Sequence, residues 1–441
     1  MYATPRAVAP RQAAILSLMA TAAVEPRNLW SSIRDGFTPA FWVANTLELF
    51  ERFAFYSSKA VLAFYLANAI QIDLPTTGWL LSMFTGLTWS LPVVAGVFVD
   101  RFGFKKTLAA CFFLFTIGYF LIGFGGMPEG QGLVTALSKP GYMAMALIVT
   151  AIGGSLIKPC VVGTVEQTSK PDYRALGFSI YYALVNLGGA IGPTLASQIR
   201  MTAGIQYVFI VSAAVSALMM LGAVIFFKEP SREASAQRRS FGKLFGDMLL
   251  VFRNFRFMSF LVIFSGFWIM FWQVFYSFPF YVDEVLHFKR FEILESVDAF
   301  TIIILSVPLT ALAKKLRPMV AMTLGFVIAS ASWLILAASP TITAAVVGMV
   351  MFGVGESIQA PRFYDYVGSL APRDQLGTFM GFGFLPIAIG SFIAGRLGTW
   401  LVEAYMRKTH EPAMMWIICA CIGAVSTALM LLHDRVYRKA D

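Results

Sequence analysis

Charge is scarce in this chain. Only 13% of its 441 residues are Asp, Glu, Lys or Arg, about half of the roughly 25% that a soluble globular chain carries. Apolar residues make up 58%, more than one or two water-soluble cores could hide, so the surplus must face lipid. Cysteine is nearly as sparse. Cys111, Cys160, Cys419 and Cys421 all lie in apolar stretches without CxxC spacing, which argues for buried, inert thiols and against a metal site. The three histidines, His287, His410 and His433, fall outside the middle of any apolar run. Proton-carrying chemistry inside the membrane must therefore use carboxylates. With no HExxH and no Ser–His arrangement, an enzyme is not expected.

The net charge of +10 does not make a nucleic-acid face, because no stretch is long enough to fold as a water-exposed basic domain. The cations instead gather in every second loop. One side holds Arg101, Lys105, Lys106, Lys170, Arg174, Arg232, Arg238, Arg239, Lys243, Lys314, Lys315, Arg317, Arg373, Arg435, Arg438 and Lys439. That bias puts both termini and the central linker in the cytoplasm. The expected location is the plasma (cell inner) membrane.

Stretches long enough to cross a bilayer, about 20 mostly apolar residues, run near 38–68, 78–99, 105–125, 141–165, 176–200 and 205–227. Six more run near 257–282, 295–315, 318–338, 342–368, 376–402 and 413–433. The expectation is an all-α membrane protein with 12 transmembrane helices in two six-helix halves. Its parts are a tail at 1–37, bundles at 38–227 and 257–433, a linker at 228–256 and a tail at 434–441. Transporters with two such halves place their site at midplane and rock around it. From Gly96 the pattern G-x-x-x-D-R-x-G-x-K-K resembles the loop signature of the major facilitator superfamily, which implies the same fold.

The informative residues are the charges inside spans, each costing roughly 2.5–3.5 kcal/mol at mid-bilayer on insertion scales. The first span carries Glu48, Glu51, Arg52 and Lys59. At 100° per residue, Glu48, Arg52, Phe55 and Lys59 lie within about 60° of one another, flanked by Glu51 and Tyr56. The fourth span adds Lys158, preceded by Gly153 and Gly154 and followed by Pro159; opposite Glu48 or Glu51 it would form an ion pair. Asp298 opens the eighth span, and the tenth holds Glu356, Arg362 and Asp365. Arg362 and Asp365, three apart, can pair with each other.

The string Glu48-x-x-Glu51-Arg52-Phe53-x-Phe55-Tyr56 resembles the E-x-x-E-R-F-x-Y-Y signature of the proton-dependent oligopeptide transporter family. Gly154 to Pro159 is similar to that family's fourth-span motif. Phe178, Tyr182, Asn186 and Gly188 follow its fifth-span spacing. Further likeness lies around Asp298 and Pro308, and around Gly355, Glu356, Pro361 and Pro372. The resemblance implies symport of a di- or tripeptide with protons, driven by the proton gradient and needing no cofactor. It implies proton coupling through Glu48, Glu51, Arg52, Lys158 and Glu356. It implies substrate contacts at Tyr56, Lys59, Tyr182, Asn186, Trp272, Gln273, Asp298 and Glu356. The partners implied are a small peptide-like molecule, protons and the bilayer, with no nucleic acid, and the working unit is a monomer.

This chain departs from the pattern at several points. Lys59 stands where the family has arginine, Trp272 where it has the seventh-span glutamate, Asp298 where it has asparagine and Gly383 where it has tryptophan. Either Asp298 has taken over the lost glutamate's work, or the cargo is a different small organic anion or zwitterion. A non-transporting membrane receptor is the remaining alternative.

Overall fold

The computed structural model describes residues 36–230, 251–371 and 376–437. The expected N-terminal tail, most of the linker with Arg232, Arg238, Arg239 and Lys243, and Arg373, Arg438 and Lys439 lie outside the described residues. Twelve helical segments follow in order. The first six are α1 (Pro39–Phe64), α2 (Leu74–Ser90, continued after a break at Leu91 by Pro92–Phe102), α3 (Phe104–Phe124), α4 (Lys139–Thr168), α5 (Arg174–Thr202) and α6 (Gln206–Phe226). The second six are α7 (Phe255–Phe271, continued by Gln273–Tyr276 and Phe278–Glu284), α8 (Phe291–Ala313), α9 (Pro318–Ala338), α10 (Ile342–Leu370), α11 (Leu385–Leu401, preceded by Leu376–Phe382) and α12 (Pro412–Tyr437).

Among the described residues, nine of these are long and apolar enough to cross a membrane by length and composition. The other three are α1, α2 and α5. α1 holds four ionisable residues, and Pro92 interrupts the run of α2. Four of the helix starts, those of α2, α4, α7 and α10, are capped by short polar side chains that accept an orphan backbone N–H. Asp73 accepts from Thr76 N at 2.9 Å to begin α2, and Asn254 accepts from Phe257 N at 3.0 Å to begin α7. Pro159 does not end α4, which continues nine residues further to Thr168.

Within the first half α1 packs on α5 and α6, and α3 on α4 and α6; within the second α9 packs on α10 and α12, and α7 on α11 and α12. The halves meet along α2 against α11 and α5 against α8. The first contact is very close. A Cβ added to Gly395 would stand 2.6 Å from Ser82 N and 2.7 Å from Gly78 O, so only glycine lets these backbones approach. The contact continues through Ser82 Oγ, which accepts from Arg396 N at 3.1 Å, and ends where Trp89 stacks on Phe384. On α5 and α8, Arg200 binds Glu292 and Thr194 Oγ1 lies 3.1 Å from Ser296 Oγ. The α5–α8 links lie near the end of the bundle that carries Thr202 and Phe291, and the α2–α11 contact runs along the length of α2 as far as Trp89. Beyond Trp89 the halves part, and Phe178, Tyr182 and Tyr364 stay exposed toward the other end.

Outward-facing apolar side chains such as Ile225, Phe226, Ile304 and Val307 are largely exposed, as a lipid-facing surface requires. Cys111, Cys160 and Cys419 are buried, but Cys421 is exposed. The expectation of four buried thiols therefore fails at Cys421, which lies two residues from Cys419 and so on another face of α12.

Candidate functional site

α1 brings its first three charges to one ionic cluster. Glu48, Glu51 and Arg52 are no more than 4% exposed. Lys158 reaches across from α4, its Nζ 2.8 Å from Glu48 Oε1, while Arg52 Nε stands 3.5 Å from the same oxygen and also pairs with Glu51. A Cβ at Gly153 would sit 3.2 Å from Cys111 O and Phe115 N, so α4 lies close against α3. Tyr181, absent from the predicted residues, joins the cluster: its hydroxyl accepts from Lys158 at 2.7 Å and donates to Glu48 at 3.3 Å. The two carboxylates thus share two cations in a site screened from water, where charge pairing is strong and breaking a pair is costly.

Lys59 does not join them. Its ammonium, 1% exposed, donates to Thr85 and to the Tyr276 hydroxyl and lies 4.5 Å from the ring centroids of Trp272 and Tyr276. The cage offers hydroxyls and π faces, and among the described residues no carboxylate forms an ion pair with Lys59. Trp272 is buried in the same aromatic group, beside Trp89, Trp268 and Tyr276. Gln273 faces away. Its amide donates to the Ile269 and Ala394 carbonyls, fastening α7 to α11, so the expected substrate contact at Gln273 is not found. The physical reason is the break in α7 at Trp272, which turns the next side chain toward α11.

Between the halves lies a cavity lined on one side by Tyr56, Asn186 and Pro193 and on the other by Phe271, Phe275, Glu295, Asp298 and Glu356. A smaller hollow next to it is lined by Arg52, Phe55, Trp89 and Lys158. The predicted residues Tyr56, Asn186, Asp298 and Glu356 are therefore gathered around one space, with Tyr182 exposed near its open end. The first-half wall of this cavity is uncharged, the second-half wall carries acids, and the paired cations Arg52 and Lys158 line the smaller hollow instead. Asp298 Oδ1, Glu356 Oε2 and both oxygens of Glu295 are buried without a hydrogen-bond partner, an arrangement rare in proteins unless a ligand, proton or water satisfies it. Sequence reasoning missed Glu295 because the eighth span was expected to start there; the helix starts earlier, at Phe291. Arg362 and Asp365 pair at 2.6 Å, and Arg362 also donates to the Leu316 carbonyl, tying α10 to the loop after α8.

A model of the Major Facilitator Superfamily matches residues 46–395 and 291–440. "Peptide transporter family 1" of Drosophila melanogaster is 28% identical over 215 residues, which is 47% of this chain and 28% of the fly protein. The chain therefore matches less than a third of that relative. "Multidrug resistance protein MdtH" of Escherichia coli K12 is 23% identical over 337 residues, 76% of this chain and 79% of that one. Among solved structures, a POT family transporter in complex with 5-aminolevulinic acid superposes with a TM-score of 0.73 at 17% identity, covering 89% of this chain and 95% of its own. The peptide transporter POT in complex with sulfate gives 0.74 at 17% identity, covering 96% and 98%. At these identities the structural likeness speaks for the fold. Helices, halves and the matched length agree: the chain is a multi-pass integral membrane protein that belongs to the major facilitator superfamily.

Proposed function

We propose that this chain is a proton-coupled symporter that imports di- or tripeptides, or similar zwitterions, by alternating access. The observation that carries the reading is a pair of spaces, a hollow lined by the paired cations of α1 and α4 and a cavity between the halves whose α8 and α10 wall holds buried carboxylate oxygens without a hydrogen-bond partner. A zwitterion complements such walls at both ends. The likeness to a fly peptide transporter and to POT structures supports the same reading.

In the proposed cycle a proton reaches Glu48 or Glu51 and weakens its hold on Lys158 or Arg52. The freed cation takes the substrate's carboxylate, while Asp298 or Glu356 takes its amino group. Occupancy lets the halves rock, and loss of the proton restores the pairs. With the cation-rich loops in the cytoplasm, the arrangement described here is sealed outside and open inside. In this reading both termini are cytoplasmic, the membrane is the plasma membrane, the working unit is a monomer, and the proton gradient replaces any cofactor or catalysis. Lys59, caged here, would meet substrate only when the outer contacts open.

A different cargo is the second reading, favoured by Trp272, whose ring occupies space beside the cavity where the family's glutamate would stand. The deciding experiment is uptake of labelled dialanine into proteoliposomes with and without an inward proton gradient. Gradient-dependent accumulation, competed by tripeptides and not by free alanine, is expected. Absence of uptake by folded protein would reject the peptide reading in favour of the second.

A further inference from the structure

Glu295 lines the central cavity but has no part in the cycle above. It is 3% exposed on α8, and neither of its carboxylate oxygens has a hydrogen-bond partner. Arg200, on the facing helix α5, is engaged by Glu292 and the Lys289 carbonyl. Glu295 and Asp298, three residues apart, share a helix face, and Glu356 completes the acidic wall from α10. In the first half Glu48 and Glu51 are matched by Lys158 and Arg52, and Lys59 is sealed in its cage. The cavity's own lining thus includes three acids and no cation, while the balanced pairs lie outside it. One amino group offsets only one negative charge, so the remaining carboxyls must hold a proton or meet a second cation in a medium of low polarity.

We propose that the cargo carries more than one positive charge: a short peptide with a basic side chain, or a small molecule with the same two cationic groups. This rests on the peptide-transport reading and narrows its substrate class. The α-amino group meets Asp298 and Glu356, and the second cation meets Glu295. Glu295 precedes Ser296, which touches Thr194 at the sealed end, so the second charge sits at the closed end of the cavity, where an extended side chain reaches it. The rings of Phe271 and Phe275 line the same cavity and give a cation two π faces.

The test compares uptake of Ala-Lys, Ala-Ala and Ala-Glu into proteoliposomes by the parent, Glu295→Gln and Glu295→Asp, each checked for folding by gel filtration. A charged hydrogen bond in such a site corresponds to about tenfold or more in selectivity. The parent is expected to favour Ala-Lys over Ala-Ala by that factor, with Ala-Glu the poorest. Glu295→Gln should bring the Ala-Lys to Ala-Ala ratio close to one, and Glu295→Asp should keep part of the preference. Equal transport of the three peptides by the parent, or a preference that survives Glu295→Gln, overturns the proposal while leaving peptide transport standing. Should no peptide be taken up, the peptide reading itself fails. Calorimetric titration with 1,5-diaminopentane then decides the cation site: binding weakened in Glu295→Gln supports it, and no binding overturns it.

Discussion

Replacing Lys158 by methionine removes one charge and little volume from the centre of the ionic cluster, so its effect reports charge rather than packing. Glu48 Oε1 would lose the Nζ that stands 2.8 Å away. Arg52 remains at 3.5 Å, but its guanidinium is already held by Glu51. The second oxygen, Glu48 Oε2, is buried without a partner in the parent. Removing one partner of a buried pair costs about 3–5 kcal/mol, and the residual hold of Arg52 places this case at the lower end, about 3 kcal/mol. The loss should appear as a lower thermal unfolding temperature of the purified protein in detergent.

The double variant Lys158→Met with Glu48→Gln removes the stranded charge as well, and it should recover most of the lost stability. Coupling between two groups in contact amounts to about 0.5–3 kcal/mol, and this pair should fall near the top of that range. Neither variant should accumulate substrate against its gradient in response to a proton gradient. Exchange of labelled for unlabelled substrate across the membrane, which needs no net proton movement, should continue in the double variant. A single variant as stable as the parent, or one that still accumulates substrate, would refute the reasoning. So would a double variant that recovers no stability.

Three other outcomes follow. Asp298→Asn keeps the shape of the side chain but removes its charge and replaces one acceptor oxygen with a donor, and it should raise the KM for dialanine about tenfold, the equivalent of about 1.4 kcal/mol; an unchanged KM would show that Asp298 does not hold the amino group. Gly395→Val forces a side chain against Ser82 N and Gly78 O, both backbone atoms that cannot step aside, so the sealed end should be wedged open at a cost of about 1–3 kcal/mol. Labelling of a cysteine placed at Tyr276 from the Asp73 side should then rise, and labelling equal to the parent would count against the α2–α11 contact as the seal. Asp73, in the loop before α2, is held below the usual carboxylate range by the Thr76 N–H it accepts. Its cap is therefore intact at neutral pH and weakened as pH falls through the lowered value; Asp73→Ala should cost about 1 kcal/mol at pH 7 and progressively less as the solution is made acidic enough to protonate Asp73, and a loss that never shrinks on acidification would argue against the cap.

Nine of the described helices were readable because lipid demands long apolar runs, and that demand is local. Their ends were less so where tertiary partners admit polar residues. Glu292 looks like a loop residue before a span starting at 295, yet α8 begins at Phe291, where Arg200 of a distant helix pairs with Glu292. With that extra turn Glu295 lies inside the helix and not at its mouth, which makes it part of the cavity wall.

Angular spacing found the ionic face of α1 but overstated its extent. Glu48 and Lys59 point the same way, yet eleven residues at 1.5 Å each separate them by about 16 Å along the axis, enough to put Lys59 beside the aromatic residues of α7 instead of in the cluster. Direction around a helix is legible from one sequence; depth within the bundle depends on which helix stands opposite, and that is set by packing. The same logic explains Tyr181 and Tyr182. Adjacent residues differ by 100° around α5, so one ring turns to Glu48 and Lys158 while the other faces the open end of the cavity, and only the position of α4 decides which is which. Among the described residues nothing hydrogen-bonds either carboxylate oxygen of Glu295 or one buried oxygen each of Asp298 and Glu356, which is why the cargo is best sought among molecules that bring positive charge with them.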